Sequence, residues 1–171
     1  MRGKATLAGI SKRIGVYKEF FEGFGYDCPL SQHLKRTISS GFPRYSLLLD
    51  AHFLAEMCAG ILVAVADDDR FDGDLCLDVA AAEEACLGLG HRRFITKEGE
   101  IVLRDEKDIV CVLCQGADEK TRVQKVTRNV LFYAYAVPGV HSEFLEEGLA
   151  LAAEAVTSFG GGRLEALKVY G

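Results

Sequence analysis

Apolar positions along the chain change their spacing twice, from helical to strand-like near Ile61 and back to helical near Ser142. In VYKEFFEGFGY, Val16, Phe20, Phe21 and Phe24 recur at helical intervals, with Gly23 and Gly25 as stop signals. LSQHLKRTISSG predicts a second short helix with Ser31 as N-cap and Gly41 at its end. Pro43 then opens RYSLLLDAHFLAEMCAG, apolar almost all round except at Asp50, His52 and Glu56, the pattern of a helix packed on several sides. From Ile61 the texture changes. ILVAVA, DLCLDVA, EIVLRD, DIVCVLC and NVLFYAYAV are short runs of Val, Ile and Leu separated by Asp or Gly, and they predict strands. A last amphipathic helix begins near Ser142 with Glu143, Glu146 and Glu147 early and Leu145, Leu149, Ala152, Val156 and Phe159 along one face; the tail RLEALKVY suits an edge strand. Helices, then strands, then a helix predict an α+β fold in preference to a doubly wound sheet.

Length and charge narrow the picture. A chain of 171 residues that is 49% apolar can bury one sizeable core, which predicts a single domain over residues 1–171. Twenty Lys and Arg against 25 Asp and Glu leave a net charge of −5, so any contact with a phosphate backbone must be local. The basic start lacks a signal-peptide core, and no run approaches the roughly 18 apolar residues of a membrane span. The six cysteines, at positions 28, 58, 76, 86, 111 and 114, sit mostly in apolar surroundings that suit reduced, buried thiols and a cytoplasmic protein.

Most metal and nucleotide motifs fail on spacing. In ADDDRFDGDLCLD, placing Gly73 at the sixth position of a calcium loop puts Arg70 third and Val79 twelfth, neither of which can ligate; a solvated turn with Gly73 at the bend is predicted instead. Cys111 and Cys114 form a CxxC within a predicted strand, away from any helix N-terminus and with no second pair to complete a zinc set. His33, His52, His91 and His141 show no metal-ligand spacing, and no glycine-rich loop follows a strand, so no cofactor or metal is expected. Two features remain. His52 lies one helical turn from Glu56 and two residues after Asp50, as a general base or as a hydrogen-bonded core histidine. QGADEKTRVQKVTRN gathers Lys120, Arg122, Lys125 and Arg128 with Thr121 and Thr127, a binding surface for phosphate or carboxylate, or else a solvated hairpin.

The pieces FPRYSLLLDAHFL, GILVAVADDDRFDGDLCLDVA, GEIVLRD and RVQKVTRNVLFYAYAVPG, in this order between His33 and Pro138, resemble a solo form of the tRNA-editing domain of the phenylalanyl-tRNA synthetase β subunit. Asp50, Asp67, Gly73, Asp74, Ala80 and Thr127 fall where that family has the same residue. The resemblance implies an α+β fold with a β barrel-sandwich core covered by helices. It also implies a pocket that takes the 3′ end of a tRNA carrying a wrongly attached amino acid, where water cleaves the ester. Carried over, the pocket is lined by His52 where the family has Thr, Ala64 where it has His, Gly116 in the Gly-rich turn, and Tyr133 where it has Glu. Without that Glu the site has no carboxylate to meet a tyrosine hydroxyl, which argues against tyrosine-specific editing.

The functional expectation is an aminoacyl-tRNA deacylase acting in trans, with His52 and Thr127 as catalytic residues. Asp50, Ala64, Asp67, Gly116, Thr121, Arg122 and Tyr133 are its substrate-binding set, and Lys120, Lys125 and Arg128 its RNA contacts. The alternatives are a catalytically inactive module for an RNA end, an amino acid or a small metabolite, and an interaction protein exposing Leu145, Leu149 and Val156.

Overall fold

Caps and punctuating residues set the helix ends, and the computed structural model describes residues 6–170. Helix α1 runs Leu7–Gly23, started by the Thr6 hydroxyl, which accepts from the Gly9 N–H at 3.2 Å. Its buried stripe is Ile10, Ile14, Tyr17 and Phe21, so the helix begins earlier than the Val16 to Phe24 pattern predicts and is rotated from it. Helix α2, Pro29–Ser40, starts two residues before the predicted Ser31 cap. Pro29 explains this, because its fixed φ and missing N–H suit the first helical turn. Gly41 ends α2 at φ 81°, as expected.

Helix α3, Leu47–Ala59, is capped by Ser46 and closed by Gly60 in the left-handed region at φ 64°. A side chain at position 60 would also meet the Ile10 carbonyl at 3.0 Å, so close approach and φ both demand glycine there. Helix α4, Ser142–Gly160, buries Leu145, Gly148 and Ala152 and packs extensively on α3. At Gly148 a Cβ would lie 2.5 Å from Ile61 and 3.0 Å from Ala59, which shows how near the chains run. Leu145 is buried, Leu149 and Val156 are half-buried, and only Phe159 of this face is exposed. The exposed stripe required of an interaction protein is therefore absent from α4, because α3 and its neighbours cover it.

The chain forms two compact units, one of residues up to Ala64 with those from Phe132 onward, the other Val65–Leu131. Strands β1 (Val63–Asp67) and β8 (Val130–Ala134) carry the chain out of the first and back, and they pair as a two-stranded sheet. Within the second unit, β2 (Cys76–Val79), β5 (Ile101–Arg104), β6 (Ile109–Val112) and β7 (Gly116–Ala117) make an antiparallel sheet in the order β2-β5-β6-β7. A hairpin of β3 (Ala85–Gly88) and β4 (Arg92–Ile95) completes it. Ala80, Cys86, Phe94, Val102, Ile109 and Val112 form its core.

The predicted α+β composition holds, with antiparallel pairing in the second unit, whereas the described sheets are open and separate, without the closure of a barrel. The β3–β4 hairpin escapes sequence reading because two glycines and two arginines interrupt eleven residues whose strands are only four long. Residues 161–170 carry no strand, so the predicted edge strand of the tail is not formed. Gly73 makes the predicted bend, at φ 77°. Cys28, Cys86 and Cys111 are buried, but Cys76 is exposed on β2, against the expectation from its apolar neighbours. Burial pushes the Cys86 thiol up to about 11, which disfavours its thiolate. No helix among the described residues is long and apolar enough to cross a membrane.

Because Gly148 allows the close approach of α4 to Ala59 and Ile61, Gly148→Leu should overpack that contact and lower stability by roughly 1–3 kcal/mol. Urea unfolding of the variant with an unchanged midpoint would show that the approach is not constraining.

Candidate functional site

The residues proposed from sequence fall into two sets, one in each compact unit: Asp50, His52, Ala64 and Tyr133 in the first, and those from Asp67 to Arg128 in the second. In the first, the organising group is Glu56. Its side chain is inaccessible to water and yet its carboxylate has three donors. His33 Nδ1 lies 2.8 Å from Oε2, His52 Nε2 lies 3.2 Å from Oε1, and the Val63 N–H donates to Oε1 at 3.3 Å. Burial on its own would raise the Glu56 carboxyl, but hydrogen bonds from the two histidines outweigh it and hold the group below the ordinary glutamate value.

His52 is oriented by this arrangement. Its Nε2 faces two acceptors, the Val63 carbonyl at 2.8 Å and the Glu56 carboxylate, so Nε2 carries the proton. Nδ1 is then the lone-pair nitrogen, buried and without a hydrogen-bond partner. Phe53 packs on the ring at 4.9 Å. The ring thus has the form of an oriented base, acceptor on one side and anchored on the other.

Asp50 is used differently. One of its oxygens accepts the Tyr45 N–H at 2.9 Å, and the residue borders a hollow of about 200 Å³ lined mainly by Phe42, Leu47, Leu54 and Phe159. Ala64 and Tyr133 lie on β1 and β8, where both are half-buried. The Tyr133 ring stands edge-on to Tyr135 at 5.7 Å.

In the second unit the loop between β7 and β8 carries most of the expected residues, and its polar groups bind one another. Asp67, buried at the end of β1, accepts from the Thr127 hydroxyl at 2.6 Å, and its N–H donates to the Thr121 carbonyl at 2.8 Å. Thr127 Oγ1 also accepts from the Gln124 N–H at 2.9 Å. The buried Thr121 hydroxyl donates to Asp118. Both hydroxyl protons are thereby committed to carboxylates, not turned outward. The other Asp67 oxygen, Oδ1, is buried with no hydrogen-bond partner. Gly116 has φ 126°, a conformation closed to other residues without strain.

The cations of this loop divide. Lys120 Nζ sits among Asp105, Asp108 and Asp72 at 2.7, 3.0 and 3.1 Å. These three carboxylates could be mistaken for a cation site, but the ammonium lies at their centre. Asp105 is the anchor, since it also accepts the N–H groups of Asp72, Lys107 and Asp108 at 3.0, 2.9 and 2.8 Å. Burial would raise its carboxyl, yet Lys120 and these N–H donors hold it far below the usual range. Arg122 Nε pairs with Glu119 at 2.9 Å. Lys125 and Arg128 are exposed and have no carboxylate partner among the described residues.

No family model matches the chain. A crystal structure of an N-terminal fragment of the phenylalanyl-tRNA synthetase β subunit from Pyrococcus horikoshii is similar, with a TM-score of 0.57 and 16% identity, over 66% of this chain and 40% of that one. The two share a fold. In sequence, 66 residues, 39% of this chain, are 33% identical to the phenylalanine–tRNA ligase β subunit of Mycoplasma genitalium, of which they cover 8%. The chain thus matches well under half the length of either relative.

Within this synthetase-like fold, sequence reasoning marked His52 and its neighbour Glu56 but did not join His33 to them. The i, i+4 spacing of His52 and Glu56 was the available signal, while His33 arrives from another helix. The clustering of Asp72, Asp105 and Asp108 around Lys120 left no local signature, since the four residues are dispersed over almost fifty positions.

Two outcomes follow from these geometries. Because the folded-state value of Glu56 is lowered, its contribution is present in full above the unfolded-state value and is lost as pH falls through the folded one. Acid unfolding should therefore begin nearer neutrality in Glu56→Ala, which should also lose about 2–4 kcal/mol at pH 7 by stranding His33 and the Val63 N–H. Equal acid midpoints for variant and wild type would contradict this. Lys120→Ala should be destabilised by about 3 kcal/mol through the buried Asp105 carboxylate, and Lys120→Ala combined with Asp105→Ala by less than the sum of the singles in a denaturant double-mutant cycle.

Proposed function

We propose that residues 1–171 act as one tRNA-editing-like domain that binds the 3′ end of tRNA or aminoacyl-tRNA in the cytoplasm. The likeness in fold to the N-terminal fragment of a phenylalanyl-tRNA synthetase β subunit carries this reading. The match of 66 residues to a second such subunit supports it from sequence. A freestanding role, apart from any synthetase, belongs to the same proposal.

Hydrolysis of a mischarged ester is the extension of that reading, and the orientation of His52 favours it. With Nε2 anchored on Val63 and Glu56, Nδ1 is the nitrogen that would draw a proton from attacking water. In the second unit Thr127, expected as catalytic, and Thr121 already have their hydroxyl protons on Asp67 and Asp118. Within the first unit Ala64 and Tyr133 stand in place of the family's His and Glu, and within the second Asp67, Gly116 and Arg122 stay as proposed substrate contacts. The alternative, an inactive binder of an amino acid or metabolite, draws on the hollow beside Asp50.

The test has two stages. Filter binding of uncharged tRNA should give an affinity that weakens steeply with salt, and absence of binding at 50 mM salt would remove the tRNA reading. Deacylation assays over tRNAs charged with each amino acid should then find at least one substrate, cleaved at least about 100-fold more slowly by His52→Ala. Wild type inert on all charges leaves an RNA-binding module without chemistry. A melting shift with a free amino acid, and none with tRNA, would favour the metabolite alternative.

A further inference from the structure

An RNA backbone is met by cations that are not already neutralised; five cations of the second unit are neutralised, whereas Lys125 and Arg128 are exposed with no carboxylate partner among the described residues. Carboxylates hold Arg104 (Asp78 and Glu84), Lys107 (Asp72), Lys120 (Asp72, Asp105 and Asp108) and Arg122 (Glu119) at 2.6–3.1 Å, and Arg70 lies 3.6 Å from Asp67. Lys120 is the extreme case, surrounded by three acids. The β3–β4 hairpin is the contrast. From Ala85 to Ile95 it contains no acidic residue, and its consecutive arginines, Arg92 and Arg93, are exposed with no carboxylate at ion-pair distance among the described residues.

The hairpin backbone that presents them is itself held in place. Its turn passes through the left-handed region at both Gly90, φ 72°, and His91, φ 59°. The Gly90 N–H donates to Glu119 Oε2 at 2.7 Å, while Arg122 binds the same carboxylate, so Glu119 is doubly engaged; Asp118, bridged to Gly88, is held by Thr121. At Gly88, opposite Arg92 in the register, a Cβ would overlap the Phe94 ring at 2.1 Å, so that ring packs directly on the β3 backbone. Successive strand residues face opposite sides. Arg92 stands on the side of Phe94, its guanidinium 5.4 Å from that ring, and Arg93 stands on the other beside Leu87.

We propose that the β3–β4 hairpin, through Arg92 and Arg93, is a contact for the phosphate backbone of the single-stranded 3′ end of tRNA. This rests on the tRNA-binding reading above and, with Lys120 enclosed by acids, adds to the expected RNA contacts Lys125 and Arg128 two residues that no sequence motif marks. Two planar guanidiniums on the two faces of a rigid ribbon can each pair with a phosphate or stack on an unpaired base. In a chain of net charge −5, an acid-free edge of this kind is where a polyanion can approach.

The deciding experiment is fluorescence anisotropy with a labelled tRNA transcript ending in CCA, between 25 and 200 mM salt, on wild type, Arg92→Ala/Arg93→Ala, Arg92→Lys/Arg93→Lys and Arg122→Ala. The double alanine variant should reduce the slope of log affinity against log salt by roughly 1.4, about 0.7 for each single-strand phosphate that is no longer neutralised. The double lysine variant should keep the wild-type slope, and Arg122→Ala should change it by less than half as much. Wild type binding with a slope that both the alanine and lysine variants preserve overturns the hairpin assignment and leaves tRNA binding intact. Wild type failing to bind at 50 mM removes the tRNA reading itself, and the hairpin's role with it. Circular dichroism of each variant, and the lysine pair if the alanine pair misfolds, keeps loss of charge distinct from loss of fold.

Discussion

A carboxylate with no access to water is the constraint on which the first unit is organised. Glu56 belongs to α3, and its donors come from α2, from α3 itself and from the first residue of β1, so three elements are fixed by one group. An ion there is tolerated because α2, α3 and β1 each supply it with an N–H. The same bonds settle the tautomer of His52 and leave Nδ1 buried, with its lone pair unused. The orientation of the one candidate base is therefore a by-product of how the helices are tied, and any change to the tie changes the base.

The second unit solves a related problem with opposite parts. Asp105 is a buried acid that gathers three backbone N–H groups and the ammonium of Lys120, closing the turn between β5 and β6 against the loop that follows β7. Asp67 and Asp118 hold the same loop through the hydroxyls of Thr127 and Thr121. Acidic residues that a composition count assigns to solvent thus serve as internal acceptors. The loop between β7 and β8 is accordingly an ordered surface, and its cations are sorted into those bound inside it and those that face outward.

Helix existence was legible in the chain because caps and glycines mark the ends: Gly41 and Gly60 close α2 and α3, and Ser142 opens α4. The face of α1 was not, since four aromatic and apolar residues near Val16 compete for the same stripe and only packing chooses Ile14, Tyr17 and Phe21. The strands beginning near Ile101, Ile109 and Val130 were visible as apolar runs, whereas β3 and β4 became strands by pairing with each other across a turn that glycine permits. The site was legible in part. His52 stood out by its place on a helix, but whether it was a base or a core histidine depends on which nitrogen is bonded, a matter of contacts between distant residues. Lys120 and Arg122 looked available because charge in a sequence carries no record of its partner.

The approach of α4 to α3 across Gly148 bears on motion as well as on packing. Helices separated by long side chains can loosen one at a time, but a glycine pressed against Ile61 and Ala59 leaves no layer that could yield first. Their backbone amides should consequently exchange with solvent through one shared opening event, so that the unit carrying His52 fluctuates as a block and its ring is not repositioned by the breathing of a single helix.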